Sequence, residues 1–323
     1  ATPSPAPLGF MTDNSLFAPK PDLAAKLAQT RTPACVMLIN ANDPSGAAGL
    51  TADIATTASV GGHPVAVVAG TYIRDTAQIF DYYALDDEAV MEQARAALED
   101  LPVQIIKIGF VGTPENLSAL AELMSDYPEL PVVSYMPNLS WWEEERIDLY
   151  LDAFRELVLP QTTVLVGNHS TLWRWLLPDW DKDVSPGPRD LAAAAAEVGV
   201  PYTLVTGIAL PEQFVDNALA TPETILCSGR VELFDATFTG AGDTLSAALA
   251  ALLATGCDLT EACTEALGYL DGCLEAGFRP GMGHVVPDRM FWAETDDSDE
   301  PSPDNEELPT PIEFGLPPHD TKH

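Results

Sequence analysis

A chain of 323 residues that is 46% hydrophobic, with a mean hydropathy of +0.05, carries enough apolar surface for one large α/β domain and excludes global disorder. Its 15 Lys and Arg against 49 Asp and Glu leave a net charge of −34, a surface that repels phosphate backbones and anionic lipid and so argues against nucleic-acid and membrane partners. Five cysteines with no CxxC pair argue against a disulfide scaffold or zinc ribbon and fit a reducing cytoplasm.

In chain order, residues 1–31 open ATPSPAPLGF with no long apolar period and read as a flexible extension. From 32 to 293, apolar strand-like runs alternate with helical periodicity. The expected strands are 34–40, 64–71, 103–109, 131–135, 162–166 and 202–206, near-continuous apolar runs of the kind covered on both faces. The expected helices between them are 50–60, 87–98, 114–125, 147–158 and 188–198, with Glu143–Glu145 as a solvated helix start. Two short strands at 224–227 and 231–233 follow, then helices at 241–254 and 260–276. This alternation predicts a mostly parallel sheet between helical layers, with ligands at the carboxyl ends of the strands. No basic segment followed by an apolar one opens the chain, so no signal peptide is expected. Residues 294–323 hold ten acidic residues and one lysine and read as an acidic, proline-rich tail. The remaining −25 fits either a salty cytoplasm or the composition of the lineage.

Three segments carry chemistry. Thr239-Gly240-Ala241-Gly242-Asp243-Thr244 opens a small-residue helix, where backbone N–H groups and the helix N-terminus suit an oxyanion or phosphoryl group. Asp243, in the first turn, is placed to take a proton from a hydroxyl; a helix-capping carboxylate is the bland reading. Asn40-Ala-Asn42-Asp-Pro-Ser-Gly-Ala-Ala-Gly49, followed by Leu50-Thr-Ala-Asp53, runs from a strand through a turn into a helix, and either brings Asp53 toward a ligand or merely connects two elements. Lys107-Ile-Gly-Phe110-Val111 ends a strand; its bland reading is a packed strand with one satisfied lysine. The scattered histidines show no ligand spacing, and no metal site is read from them. Trp141 and Trp142 read as packing residues, or as a lid over a ring.

In this order and spacing the segments resemble the hydroxymethylpyrimidine/phosphomethylpyrimidine kinases of thiamine biosynthesis, in the ribokinase superfamily, over about 34–286. NDPSGAAGLTAD is similar to that family's DPSGGAGIQAD, KIGFV to its KIGML, VLPQTTVLVGN to its LLPxxxxITPN, Gly281-Met-Gly283 to its C-terminal glycine motif, and TGAGDTLSAALAA to its anion-hole helix. The resemblance implies a ribokinase-like three-layer α/β/α sandwich with a mostly parallel central sheet, and phosphorylation of a hydroxymethyl group on a small heteroaromatic substrate by ATP with Mg²⁺. It implies an anion hole at Gly240, Ala241 and Gly242, Asp243 as base, substrate contacts at Asn42, Asp53, Arg74 and Phe110, and nucleotide contacts at Asn168, Thr206, Gly207 and Thr239. A homodimer is a further expectation from the family. A pyridoxal kinase is the enzymatic alternative, and an inactive kinase fold that senses a pyrimidine or nucleotide is the alternative of another class.

The departures are local. Arg74 replaces a glutamine, and if it lines the pocket it favours an acceptor-rich or anionic ligand; pairing with an acid such as Asp75 is the bland reading. Thr171 stands where a metal-linked glutamate is usual, Thr206 where a lysine is, and Tyr135 where an aspartate is. Each exchange removes a charge that phosphoryl transfer uses.

Overall fold

The computed structural model describes residues 32–293; the extension at 1–31 and the acidic tail lie outside the described residues. The nine strands are β1 (Cys35–Asn42), β2 (His63–Arg74), β3 (Ile79–Ala84), β4 (Val103–Ile108), β5 (Val132–Met136), β6 (Val164–Asn168), β7 (Tyr202–Leu210), β8 (Phe214–Ala220) and β9 (Ile225–Glu232). They form one sheet in the order β3-β2-β1-β4-β5-β6-β7-β8-β9. The pairs from β2 through β7 are parallel, while β3, β8 and β9 add antiparallel edges.

The helices are α1 (Gly49–Ser59), α2 (Asp87–Asp100), α3 (Pro114–Asp126), α4 (Glu144–Ala153), α5 (His169–Leu176), α6 (Pro188–Glu197), α7 (Ala241–Ala254) and α8 (Leu259–Glu275). They divide between the two faces of the sheet, and β1 shows how. Val36 and Leu38 pack against α1, α7 and α8, whereas Met37 and Ile39 pack into the core built by α2 to α6. A strand covered on both faces has no polar side, so β1 reads CVMLINAN and is buried up to its last residue. This is the α/β/α sandwich expected. Among the described residues, no helix is long and apolar enough to cross a membrane.

Three expectations need correction. Residues 225–232 form one continuous strand, β9, rather than two short ones, because it pairs along its length with β8. β3, β8 and α5 had no counterpart among the expected elements. The helix expected over 147–158 begins at Glu144 and ends as a π-turn at Phe154–Val158. Chain order reverses where β1 sits between β2 and β4, and a ligand crevice opens at such a switch point, off the carboxyl ends of the strands. Asn40 on β1 and Lys107 on β4 stand there.

Candidate active site

Asn40, near the end of β1, is buried with all its polar atoms engaged. Its Oδ1 accepts from the N–H groups of Ala41 and Phe110, and its Nδ2 donates to Asp53 at 2.8 Å and Asp243 at 3.0 Å. Lys107 is fully buried beside it. Its Nζ donates to both carboxylate oxygens of Asp53, at 2.7 and 2.9 Å, and lies 3.4 Å from Asp243 Oδ1. The second oxygen of Asp243 accepts from the N–H of Gly49 at 3.1 Å. Residues 203 apart in sequence thus meet in one network of two carboxylates, one ammonium and one amide.

Burial is the largest influence on Asp53 and pushes its carboxyl up to about 6. Lys107 pulls it back down, and the neighbouring Asp243 raises it again. A single lysine shared between two carboxylates explains why the pairing does not win: desolvation acts in full, while the compensating charge is divided.

The backbone brings these groups together at two glycines. Gly49 has φ +57, and a Cβ there would run into the carbonyl oxygen of Ala41; only glycine lets the start of α1 press its N–H against Asp243. Gly240, at the N-cap of α7, has φ +88, and a Cβ there would strike the carbonyl of Ala47. Ala241 and Gly242 follow in the first turn, where N–H groups have no partner within the helix. The Tyr135 ring sits against Gly242, with its centroid 5.4 Å from Lys107 Nζ. Burial pushes its phenol well above the ordinary tyrosine value, so it stays a neutral hydroxyl beside the first turn of α7.

The β1–α1 loop is braced from both sides. Asp43 accepts from the Ser45 and Ala48 N–H groups and from Ser45 Oγ. Buried Arg289 donates to the carbonyls of Gly46 and Ala47 and, through Nε at 3.0 Å, to Thr244 on α7. Nothing in the sequence motifs pointed to Arg289.

Asp53 and Asp243 meet directly in this network. Asn42 faces it more loosely, with contacts to Thr51 and Thr71 at 3.4 and 3.5 Å. Arg74 needs correction. Its guanidinium lies 3.4 Å from the Asp43 carboxylate with both side chains buried, and its Nε donates to the Asp75 carbonyl. The charge is neutralised by Asp43, not Asp75. Phe110 is also a correction: it is 1% exposed, packed among Tyr72, Tyr82, Trp141, Trp142 and Tyr150, and covers no open ring site. Tyr82, Trp141 and Trp142 are the half-buried members of that cluster, within reach of solvent.

Asn168, Thr206 and Gly207 line a separate cleft of about 210 Å³ with Ala241, Gly242 and Phe238. Asn168 caps α5, and the Gly207 N–H donates to Asn217 Oδ1. Thr239 does not line this cleft; its hydroxyl lies 3.0 Å from His284 Nδ1. His169 bonds the Pro186 carbonyl through Nε2.

The donor set does not fit a Mg²⁺ held by protein. The carboxylates of Asp43, Asp53 and Asp243 are taken up by Arg74, Lys107 and backbone N–H groups. Among the described residues, no group of three or more His, Cys, Asp or Glu could hold a metal. Two residues central to the site, Asn40 and Lys107, stood inside quoted motifs without a role. Their signal was a polar residue following an apolar run near the end of each strand, where the carboxyl-end rule places ligands.

A family model described as phosphomethylpyrimidine kinase matches residues 43–288. A hydroxymethylpyrimidine/phosphomethylpyrimidine kinase of Streptomyces coelicolor is 28% identical over 263 residues, covering 81% of this chain and 96% of its own. One from Rhizobium meliloti is 29% identical, covering 80% and 98%. The fold is similar to a Bacillus subtilis pyridoxal kinase solved as an ADP complex, with TM-score 0.72 and 20% identity over 82% of this chain and all of that one. A Clostridium difficile phosphomethylpyrimidine kinase gives TM-score 0.60 at 20% identity, over 76% of this chain and all of that one. With three-quarters of the chain matched by that family model, and the glycine-led start of α7 set against a buried carboxylate network, the chain belongs to the phosphomethylpyrimidine kinase family of phosphotransferases.

Proposed function

We propose that the protein phosphorylates the hydroxymethyl group of hydroxymethylpyrimidine or its monophosphate, with ATP as donor. The observation that carries this reading is the position of Asp243. It sits in the first turn of α7, one residue past Gly242, with 11% of its side chain exposed and its carboxylate held by Asn40, Lys107 and the Gly49 N–H. In this reading Asp243 accepts the proton of the substrate hydroxyl as its oxygen attacks the γ-phosphorus. The N–H groups at the start of α7 receive charge on the transferring phosphoryl. The Tyr135 hydroxyl, where the family resemblance implies an aspartate, adds a neutral donor beside Gly242. The cleft at Asn168, Thr206 and Gly207 opens onto the same two helix residues, which suits a nucleotide base with its phosphates directed toward α7. At about 210 Å³ it takes a base and not a whole nucleotide, which leaves the phosphates in the open mouth. Mg²⁺ arrives with the nucleotide in this reading, and no step is assigned to it.

ATP turnover with Mg²⁺ against hydroxymethylpyrimidine, its monophosphate and pyridoxal tests the reading. Expected is phosphorylation of a pyrimidine substrate, with kcat lowered by about 10²–10⁴-fold in Asp243→Asn. Pyridoxal as the only substrate would move the protein to the B6 alternative. Ligand binding without turnover would favour the sensing role, for which Thr171 and Thr206 in place of charged residues already speak.

We further propose that the protein is a homodimer through the β2–β3 edge, where Ile73, Phe80, Tyr83 and Leu85 are exposed together. A monomeric mass in sedimentation at micromolar concentration would remove that proposal.

A further inference from the structure

β9 lies against α8, and their facing residues run in step. Strand positions two apart, Cys227 and Gly229, meet helix positions one turn apart, with Cys227 bonded to Cys263 and Thr264 and Gly229 placed against Leu267. The Cys227 and Cys263 thiols are in hydrogen-bond contact, and both are free. Their exposures differ sharply. Cys227 is half-buried and lines a mostly apolar cavity of about 210 Å³ with Thr264, Leu267 and Asp271, while Cys263 is fully buried behind it.

The surroundings sort the two thiols chemically. The Cys263 S–H, the Leu219 N–H and the Thr264 hydroxyl all point hydrogen-bond donors at Cys227 and hold it below an ordinary thiol, against the opposing effects of burial and of Asp216. Cys263 is driven the other way by the same bond and by burial. A half-exposed thiol drawn toward its thiolate, packed against a second thiol that is fully buried, is the arrangement of an attacking and a resolving thiol.

We propose that Cys227 is a peroxide-reactive thiol and that Cys263 resolves it, joining β9 to α8 by a disulfide. In the first step the Cys227 thiolate attacks one oxygen of a hydroperoxide and breaks the O–O bond. The sulfur becomes a sulfenic acid, and the departing oxygen leaves, protonated, as water or an alcohol. In the second, the Cys263 sulfur attacks the Cys227 sulfur and gives up its proton to the departing hydroxide, which leaves as water. One hydroperoxide is reduced and two thiols are oxidised to one disulfide. The substrate of the kinase site plays no part, so the inference stands apart from the proposed activity. Four residues of the cavity, Asn217, Val231, Leu270 and Leu274, also line the cleft at Asn168 and Thr206, so the bond would form beside a shared wall.

The test uses the full chain with hydrogen peroxide, followed by peptide mass spectrometry without reductant. In parallel, iodoacetamide labelling at neutral pH compares Cys227 with Cys257, the other half-exposed cysteine. The proposal expects a Cys227–Cys263 peptide lighter by two hydrogens. It also expects labelling at Cys227 at least about threefold faster than at Cys257, the thiolate gain being partly offset by lower nucleophilicity. In Cys263→Ser, oxidation should stop at sulfenic or higher acids on Cys227. Equal labelling rates at Cys227 and Cys257, or peroxide treatment that leaves the two cysteines unlinked, would overturn it. Both decisive readouts use the unmutated protein, so a folding defect in the variant does not blunt them.

Discussion

Asp53 and Asp243 share Lys107 and Asn40, and that sharing governs how the site responds to pH. A buried carboxylate with a whole cation to itself would sit below its ordinary value; Asp53 is instead raised to about 6 from 3.8. The folded protein therefore binds this proton more tightly than the unfolded chain does. Between about pH 4 and pH 6 folding takes up a proton at Asp53, so its contribution is fully present below that window and is lost as pH rises through it. The loss comes to about 3 kcal/mol over the full window. Asp53→Asn removes this proton linkage. Its stability relative to the unmutated protein should rise by about that amount between pH 4 and pH 6.5, read from urea midpoints at each pH. A relative stability that does not change with pH would mean that Lys107 neutralises Asp53 fully. The same geometry favours Asp243 over Asp53 as the base in the proposed reaction: Asp243 keeps an edge open to solvent, while Asp53 is sealed against Lys107.

At the scale of elements, the site depends on how closely α7 approaches the β1–α1 loop. Gly240 takes a left-handed conformation with no room for a Cβ against Ala47, and Arg289 clamps the two segments together. Gly240→Ala should cost about 2 kcal/mol or more, combining the left-handed penalty with displacement of the Ala47 carbonyl. It should also weaken nucleotide binding, because the N–H groups of Ala241 and Gly242 move with the cap. Calorimetric titration with ADP alongside thermal melts would check both, and a variant with wild-type melting and affinity would show that the loop gives way freely. The helix itself was legible from its residues: Ala241–Ala254 was expected with both ends in place, because its small-residue run stops at a Thr-Gly pair. β8 was not, since Asp216 and Asn217 interrupt FVDNALA and hide its apolar alternation. α5 was hidden by its length, eight residues behind the Asn168 cap. Arg74 illustrates a different limit. Its type was visible, but its partner Asp43 lies 31 positions upstream, and only the fold brings them together. A satisfied lysine is only the bland reading of Lys107, and the lysine is indeed satisfied; what the strand could not reveal is that two carboxylates from α1 and α7 satisfy it.

For the whole molecule, the excess of 34 negative charges sets the conditions under which both folding and nucleotide binding are measured. The tail accounts for −9, which leaves −25 on the rest, and two of the cations nearest the site are already paired: Arg74 with Asp43, Lys107 with Asp53 and Asp243. An incoming nucleotide triphosphate thus meets a repulsive surface on its way to a site whose remaining attraction is the N-terminal end of α7 and the buried Arg289 beside it, which is bound to carbonyls and a hydroxyl. Salt shortens the reach of that repulsion, from about 10 Å at 0.1 M to about 3 Å at 1 M, while the helix N–H groups act at hydrogen-bond distance and are screened far less. Raising KCl from about 0.05 to 0.5 M should therefore increase kcat/KM for ATP by roughly threefold to tenfold, the reverse of the dependence at a basic nucleotide site. Stability should climb over the same range, on the order of 2 kcal/mol, and then flatten once the screening length falls below the spacing of the surface carboxylates. A gain that continues linearly to molar salt would indicate strengthened apolar burial rather than screening. Steady-state kinetics and urea unfolding across one KCl series separate the two. If kcat/KM for ATP falls with salt instead, the local field of α7 outweighs the charge of the whole molecule, and the nucleotide is drawn in rather than held off.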